Sequence, residues 1–369
     1  MKVCYVTHLP NLTGANQSLL DLLRALEGSE VEPVVLLGRH GPLEDELKAR
    51  GIRYRVIRFA NELKKDDSRL HTLRKDLLNL WAKRNVKDFL TAEGVDLVHN
   101  NSMFVGIGMQ ASEELGIPYI AHIRDYVEED HGLKLEHPKA QAVRVQNADA
   151  AIAVSRSLAT VAASKYGTPK TGILPLYDGI DVDRFYLAPE ERKTPCSGET
   201  VELLLAGRIQ PGKGQLDAVN AVSLLEKEFP GKYRLTLVGT VGDEAYEKQL
   251  REAAEGAPVT ILPFVEDLKE LRKNTDIALV CSTHEAMGRV TIESLLAGLP
   301  VIGANGGATP ELLDEERGAL YEAGNAEDLA RAIAAIDTKA VASAQTYAKE
   351  RFGLKDYAAQ VLNLYQEVV

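Results

Sequence analysis

The densest concentration of chemistry-bearing residues is the run Ser282-Thr-His-Glu-Ala-Met-Gly-Arg-Val-Thr-Ile-Glu-Ser-Leu-Leu-Ala-Gly-Leu-Pro-Val-Ile302, which follows the apolar stretch Ile277–Val280. Residues 289–297 have helical character, so Glu285 falls in the loop before a helix and Glu293 on its first or second turn. Gly288 lets the backbone approach a ligand closely. The N–H groups of Gly288, Arg289 and Val290 would point at that ligand, and the helix dipole adds about half a positive charge there. Such a terminus suits an anion, for instance a diphosphate. Carboxylates repel phosphate, so the two glutamates read better as acceptors for sugar hydroxyls, one toward a transferred sugar and one toward a ribose. Taken singly, each also fits a blander role, as a capping glutamate and a solvated helix residue.

A second run, Leu203-Leu-Leu-Ala-Gly-Arg-Ile-Gln-Pro-Gly-Lys-Gly214, leads a buried strand into a Gly-rich loop with two cations. Arg208 and Lys213 could clamp a diphosphate, the first by its fork and the second as a point charge. The plain alternative is a basic surface turn. Residues 207–213 also fit most of the P-loop pattern G-x-x-x-x-G-K. The next residue is Gly214, however, so the magnesium-binding hydroxyl is missing, and Pro211 suits a tight turn more than a phosphate nest.

His122, in Pro118-Tyr-Ile-Ala-His-Ile-Arg-Asp-Tyr126, is expected at a strand end and therefore toward the ligand edge. It reads equally well as a satisfied structural histidine, with Arg124 and Asp125 tilting the loop toward function. His99 and Asn100 end another expected strand and, with Arg124 and Asp125, are candidates for contact with an acceptor. The loop Leu9–Asn16 lacks G-x-G-x-x-G, which argues against a dinucleotide fingerprint. Gly14 and Ala15 open the following helix, so their N–H groups are candidates for contact with the donor from the N-terminal side. The stretch from Lys64 to Lys87 is basic and amphipathic: Lys64, Lys65, Arg69, Arg74, Lys75, Lys83, Arg84 and Lys87 are interleaved with Leu70, Leu73, Leu77, Leu80 and Trp81. A helix of that kind can lie on an anionic membrane. The interspersed Asp66, Asp67, Asp76 and Asp88 favour instead a solvated face packed on its own domain.

Positioning these residues requires alternating strands and helices. Strands are expected at Lys2–Thr7, Val31–Leu37, Tyr54–Arg58, Leu97–His99, Tyr119–His122, Ala150–Val154 and Thr171–Leu174, with amphipathic helices between them, including Leu70–Thr91. A second set covers Val201–Ala206, Tyr233–Val238, Val259–Leu262, Ile277–Val280, Val301–Ile302 and Ala319–Tyr321, and residues 338–369 read as purely helical. The pattern predicts two doubly wound α/β domains, with ligands bound at the strand C-terminal ends. The expected division is residues 1–186, a charged, proline-bearing linker at 187–199, residues 200–345, and a last helix at 346–369.

With 369 residues, 45% hydrophobic and 26% charged, the chain can bury two ordinary cores. Three widely spaced cysteines, Cys4, Cys196 and Cys281, suit neither a disulfide framework nor a zinc site, and point to a reducing compartment. A net charge of −11 argues against nucleic-acid binding. No apolar run is long enough to span a membrane, and no leader is expected ahead of the first strand.

Together these motifs resemble the retaining GT-B glycosyltransferases of the large "group 1" family, family 4, and especially its bacterial polysaccharide-assembly members. The resemblance covers the Gly14-Ala15 loop, Tyr177-Asp-Gly-Ile-Asp-Val-Asp-Arg-Phe185, the 207–213 loop, Leu237-Val-Gly239, Glu285 with Glu293, and Gly306-Gly-Ala-Thr-Pro-Glu311. It implies the GT-B fold, with two Rossmann-like domains facing a central cleft and the last helix returning to the first. It implies that Arg208 and Lys213 hold a donor diphosphate beside Gly207, that Glu293 binds ribose hydroxyls, and that Glu285 contacts the donor sugar near Met287, Gly288, Arg289 and Val290. Phe264 and Val265 would flank the base, and His122 would lie near the reacting face of the sugar. Two departures stand out: Asp178 replaces the usual asparagine, and Arg289 stands where many members have an apolar residue, which bears on donor choice. The implied reaction moves a sugar from a nucleoside diphosphate, UDP rather than GDP, to a saccharide or lipid-linked hydroxyl. No metal or other cofactor is expected, and the site would be cytoplasmic, with residues 64–87 available for peripheral membrane contact. A GT-B epimerase and a noncatalytic nucleotide-sugar-binding subunit are the alternatives.

Overall fold

The computed structural model describes residues 1–12, 14–64, 69–128, 132–337 and 341–369. The chain divides into two compact units, one made of Met1–Ile180 with Leu354–Val369, the other of Asp181–Gly353.

The first unit is built on a sheet of strands β1 (Lys2–Thr7), β2 (Glu32–Leu37), β3 (Arg53–Val56), β5 (Leu97–Asn100), β6 (Tyr119–Ile123), β8 (Ala150–Ala153) and β9 (Ile173–Pro175), in the order β3-β2-β1-β5-β6-β8-β9. Every pairing in it is parallel. The central strands are buried and mostly apolar, as parallel sheets covered by helices require, but β5 and β6 carry the polar residues His99, Asn100 and His122. The helices are α1 (Ala15–Ala25), α2 (Leu43–Ala49), α3 (Arg69–Glu93), α4 (Gly106–Leu115), α5 (Pro138–Asn147), α6 (Arg156–Tyr166) and, from the chain's end, α15 (Leu354–Val368). Tyr357, Ala358, Val361, Leu364 and Tyr365 of α15 are buried in one core with Val3, Tyr5, Leu19 and Leu22. The sequence reading missed a small antiparallel pair, β4 (Leu63–Lys64) with β7 (Lys134–Leu135). Two residues per strand are too few for a period-2 signal.

The second unit holds strands β10 (Val201–Ala206), β11 (Tyr233–Val238), β12 (Val259–Leu262), β13 (Ile277–Val280), β14 (Val301–Ala304) and β15 (Gly318–Tyr321), in the order β12-β11-β10-β13-β14-β15. Its helices are α7 (Val182–Phe185), α8 (Gln215–Glu228), α9 (Glu244–Ala253), α10 (Lys269–Lys273), α11 (Arg289–Leu296), α12 (Thr309–Leu312), α13 (Ala326–Ala335) and α14 (Val341–Phe352). Segment 187–199 belongs to this unit. Lys193 Nζ donates to Asp276 Oδ2 at 2.7 Å, and Cys196 N donates to Asp276 Oδ1 at 2.8 Å. The stretch expected as one terminal helix is two, α14 and α15, separated at Gly353, and residues 338–340 lie outside the described residues.

Both sheets reverse their strand order once: between β1 and β5 in the first unit, and between β10 and β13 in the second. Doubly wound folds bind ligands beyond the carboxyl ends of the strands at such a reversal.

Candidate functional site

In the second unit the loops at that reversal are residues 207–214 after β10 and 281–288 after β13. They are stitched together. Thr283 N donates to Gly212 O at 3.0 Å, and Lys213 Nζ donates to Glu285 Oε1 at 2.7 Å. Burial alone pushes the Glu285 carboxyl up. The Lys213 charge, its hydrogen bond and a second from Ser282 outweigh that and hold it below the ordinary glutamate value.

Gly214 closes the first loop at φ +67°, and a Cβ there would lie 2.0 Å from the Cys281 carbonyl oxygen. No serine or threonine fits, so the missing P-loop hydroxyl is a steric consequence of how tightly the β10 and β13 loops pack. Gly288, at φ +84°, caps α11, and a Cβ there would sit 2.7 Å from Leu312 Cδ1. The first intrahelical bond is Ile292 N to Gly288 O, which leaves the N–H groups of Arg289, Val290 and Thr291 without helical partners. Met287 is buried beside this terminus.

Glu293 is held more firmly than its helix position suggests. Arg272 Nη2 of α10 donates to its Oε2 at 2.7 Å, and Arg289 Nε stands 3.8 Å from its Oε1. The Arg272 side chain is only 4% exposed. The sequence reading passed over Arg272, because Lys-Glu-Leu-Arg-Lys has the composition of a surface turn. Arg208 is exposed, its side chain lying against the backbone at Gly242, and it makes no ion pair among the described residues. Gly207 stands beside it, its N–H donating to Val238 O at 2.9 Å. Phe264 is 58% exposed just past the edge strand β12, with Val265 half-buried next to it. The second unit therefore brings Lys213, Glu285 and the α11 terminus together, fixes Glu293 through Arg272, and leaves Arg208 and Phe264 on its surface.

In the first unit the expected acceptor residues are placed differently. His99 and Asn100 on β5 and His122 on β6 are fully buried, and Arg124 is 5% exposed. His122 lies within its strand rather than at an open end. Arg124 donates through Nε to Asn101 Oδ1 at 3.0 Å, through Nη1 to Asp178 Oδ2 at 2.5 Å, and through Nη2 to His122 Nδ1 at 3.1 Å. A guanidinium only donates, so His122 Nδ1 accepts and its proton sits on Nε2. His99 Nε2 then donates to the same His122 Nδ1 at 2.9 Å, and His99 Nδ1 accepts from the Tyr365 hydroxyl at 2.6 Å. Burial first, then the Arg124 charge, pushes His99 down to about 3 and His122 well below the usual range. Both imidazoles are therefore neutral. Polar residues in the middle of a sheet covered on both faces need partners inside it. Most of their atoms find them, while His122 Nε2 and Asn100 Oδ1 are buried without a hydrogen-bond partner among the described residues. Asp178, the departure from asparagine, accounts for itself here: one oxygen takes Arg124, the other the Tyr357 hydroxyl at 3.1 Å.

Gly14 caps α1 at φ +50°, with Ala15 after it, and Asn101 Nδ2 donates to Ala15 O at 3.2 Å. Thr13 of that loop lies outside the described residues. Asp125 is half-buried. The sequence reading also missed His8, which follows β1 at the strand-order reversal. Its buried Nδ1 has no hydrogen-bond partner among the described residues, and burial with the charge of Arg39 pushes it down to about 4 against the pull of Asp125. Its place immediately after the first strand is the sequence signal that marks it. Among the described residues no group of three or more His, Cys, Asp or Glu side chains is arranged to hold a metal ion, and no helix is long and apolar enough to cross a membrane.

Comparison with known families matches residues 12–184 to "Glycosyltransferase Family 4" and residues 189–351 to "Glycosyl transferases group 1". The chain is similar to the D-inositol 3-phosphate glycosyltransferase of Geodermatophilus obscurus, 28% identical over 266 residues, covering 65% of this chain and 59% of the relative. It is also similar to that of Pseudarthrobacter chlorophenolicus, 29% identical over 261 residues, covering 65% and 62%. The match thus spans about six-tenths of these relatives' length. Among solved structures, Anabaena HepE in complex with UDP-glucose superposes with a TM-score of 0.78 at 22% identity, covering 99% of each chain.

Proposed function

We propose that this chain, which belongs to the group 1 glycosyltransferases of family 4 and has the GT-B fold, transfers a sugar from a nucleoside diphosphate sugar to an acceptor hydroxyl. The observation that carries the reading is the Lys213–Glu285 contact beneath the α11 terminus. One side of it offers positive charge for a diphosphate, the other a carboxylate for sugar hydroxyls.

Lys213, Arg208 and the N–H groups of Arg289 and Val290 are assigned to the leaving diphosphate. They stabilise charge that develops as the bond from the anomeric carbon to phosphate oxygen breaks, and they are oriented before it does. Glu285 accepts from the donor sugar and Glu293, braced by Arg272, from the ribose. Phe264 and Val265 are assigned to the base, which we take as uracil. The UDP-glucose complex of HepE, a chain of the same fold, supports that choice. Gly14 and Ala15, together with Asp125, are assigned to the substrate edge of the first unit. His99, Asn100, Arg124 and His122 act there from inside, by fixing the strand ends. The acceptor is a saccharide or lipid-linked saccharide in glycoconjugate or polysaccharide synthesis.

The chemistry keeps the anomeric configuration. The acceptor oxygen bonds to the anomeric carbon on the face the phosphate leaves, and its proton passes to a phosphate oxygen. The charge stabilisation needs no metal, because the cations and helix terminus supply it. The test is a panel of UDP-, GDP- and ADP-sugars, first for binding and then for transfer to soluble and lipid-linked saccharides, with the product anomer read by NMR. Binding and transfer with a UDP-sugar and retained configuration are expected. An inverted product overturns the mechanism, and conversion of donor alone to an epimer overturns the reaction class.

A further inference from the structure

Helix α3 (Arg69–Glu93) has two faces of opposite sense. Ala82, Val86 and Leu90 are buried against the first unit. At 100° per residue, Leu70, Leu73, Leu77, Leu80 and Trp81 fall within about 100° of one another, on the far side from those three. All five are exposed, from 54% at Leu73 to 72% at Leu70. A monomeric protein rarely leaves so many large apolar side chains contiguous in water, and such a stripe marks an interaction surface. Residues 65–68, part of the basic stretch seen in the sequence, lie outside the described residues.

The charges around the stripe select its partner. Lys75, Lys83 and Lys87 turn away from it, Lys75 to Glu136 at 3.0 Å and the other two to Glu114. Arg69 and Arg74 are exposed on its two flanks, and Arg84 is exposed on its line one turn beyond Leu80 and Trp81. Asp76 stands farther round and is engaged by His137 Nε2 at 2.8 Å. Asp88 follows Arg84 and ends the stripe. The surface is thus apolar at its centre and cationic at its margins, on a chain whose net charge is −11. Three exposed arginines around an apolar stripe complement an anionic surface into which the stripe can insert.

We propose that the outer face of α3 seats the protein on an anionic phospholipid bilayer. The helix lies in the interface plane, its leucines and Trp81 at the acyl boundary and Arg69, Arg74 and Arg84 on lipid phosphates. This rests on the first unit alone and is independent of the transfer reaction.

Trp81 is the chain's single tryptophan, so its emission reports this face without any variant. The experiment mixes the full chain with phosphatidylglycerol–phosphatidylcholine vesicles, and separately with pure phosphatidylcholine. Sedimentation and Trp81 emission are read at low and high salt. Expected are co-sedimentation and a blue shift on anionic vesicles, both weakened by salt. Replacing Arg69, Arg74 and Arg84 together by glutamate should lower partitioning on the order of a hundredfold or more. Leu73→Glu with Leu77→Glu should abolish the shift while circular dichroism and the melting temperature stay unchanged, because these residues are exposed. Equal binding to neutral vesicles, an unshifted Trp81, or unaffected binding by the leucine variant would overturn the proposal. So would self-association through the same residues in a chain that ignores vesicles.

Discussion

Lys213 Nζ donates to Glu285 Oε1 at 2.7 Å across two loops that leave neighbouring strands β10 and β13, at the reversal of strand order in the second unit. A cation and an anion 72 residues apart in sequence are thereby fixed at the one edge where this kind of sheet opens for a ligand. The pair is local to one unit, so its consequences are separable by mutation.

Gly214 tests how tightly those loops are packed. Gly214→Ser completes a P-loop pattern in sequence, but its Cβ would meet the Cys281 carbonyl at 2.0 Å with φ at +67°. The variant should lose about 2 kcal/mol or more of stability from strain and overpacking, read by denaturant unfolding. It should also gain no magnesium-dependent nucleotide hydrolysis. A fully stable variant that hydrolyses ATP would revive the P-loop reading.

Arg272 and Glu293 separate holding from binding. Arg272→Met leaves the Glu293 carboxylate without its buried partner, and should cost about 3 kcal/mol of stability. Adding Glu293→Leu should recover part of that loss but none of the donor affinity, because the ribose acceptor is then gone. Recovery of both in the double variant would make Glu293 a structural residue only.

The buried histidines set a pH dependence. His99 is pushed down to about 3 and His8 to about 4, while an unfolded chain titrates them near 6.5. Between those values the unfolded state binds more protons than the native one, so stability rises with pH. It is therefore complete above about pH 6.5 and is lost as pH falls toward 4, by about 1.4 kcal/mol per pH unit for each such group. Melting temperatures from pH 7.5 down to pH 5 should fall. His99→Gln should flatten the slope even where it lowers the starting value.

The sequence exposed the second unit's site far better than the first's. Glu285, Gly288 and Lys213 were legible because each stands in a loop at a strand end, where local pattern determines position. Arg272 was not, because its burial depends on α10 lying over α11, a tertiary fact without a local signature. His99, His122 and Arg124 were legible as unusual residues at strand ends. Their partners, however, arrive from Asp178, Tyr357 and Tyr365, far along the chain, and they turn an expected open edge into a closed network. The leucines of α3 were visible as one stripe, but the periodicity that reveals a stripe does not say which side of it is covered.

The most direct test is donor turnover by Lys213→Ala, measured as nucleoside diphosphate released in the presence of acceptor at saturating donor. The variant should keep the fold, checked by circular dichroism, with some loss of stability because Glu285 loses its ion-pair partner. It should turn over on the order of a hundredfold more slowly or worse, since one preorganised charge at the leaving group is gone. Turnover close to wild type in the purified variant would contradict the assignment of the Lys213–Glu285 edge as the donor site.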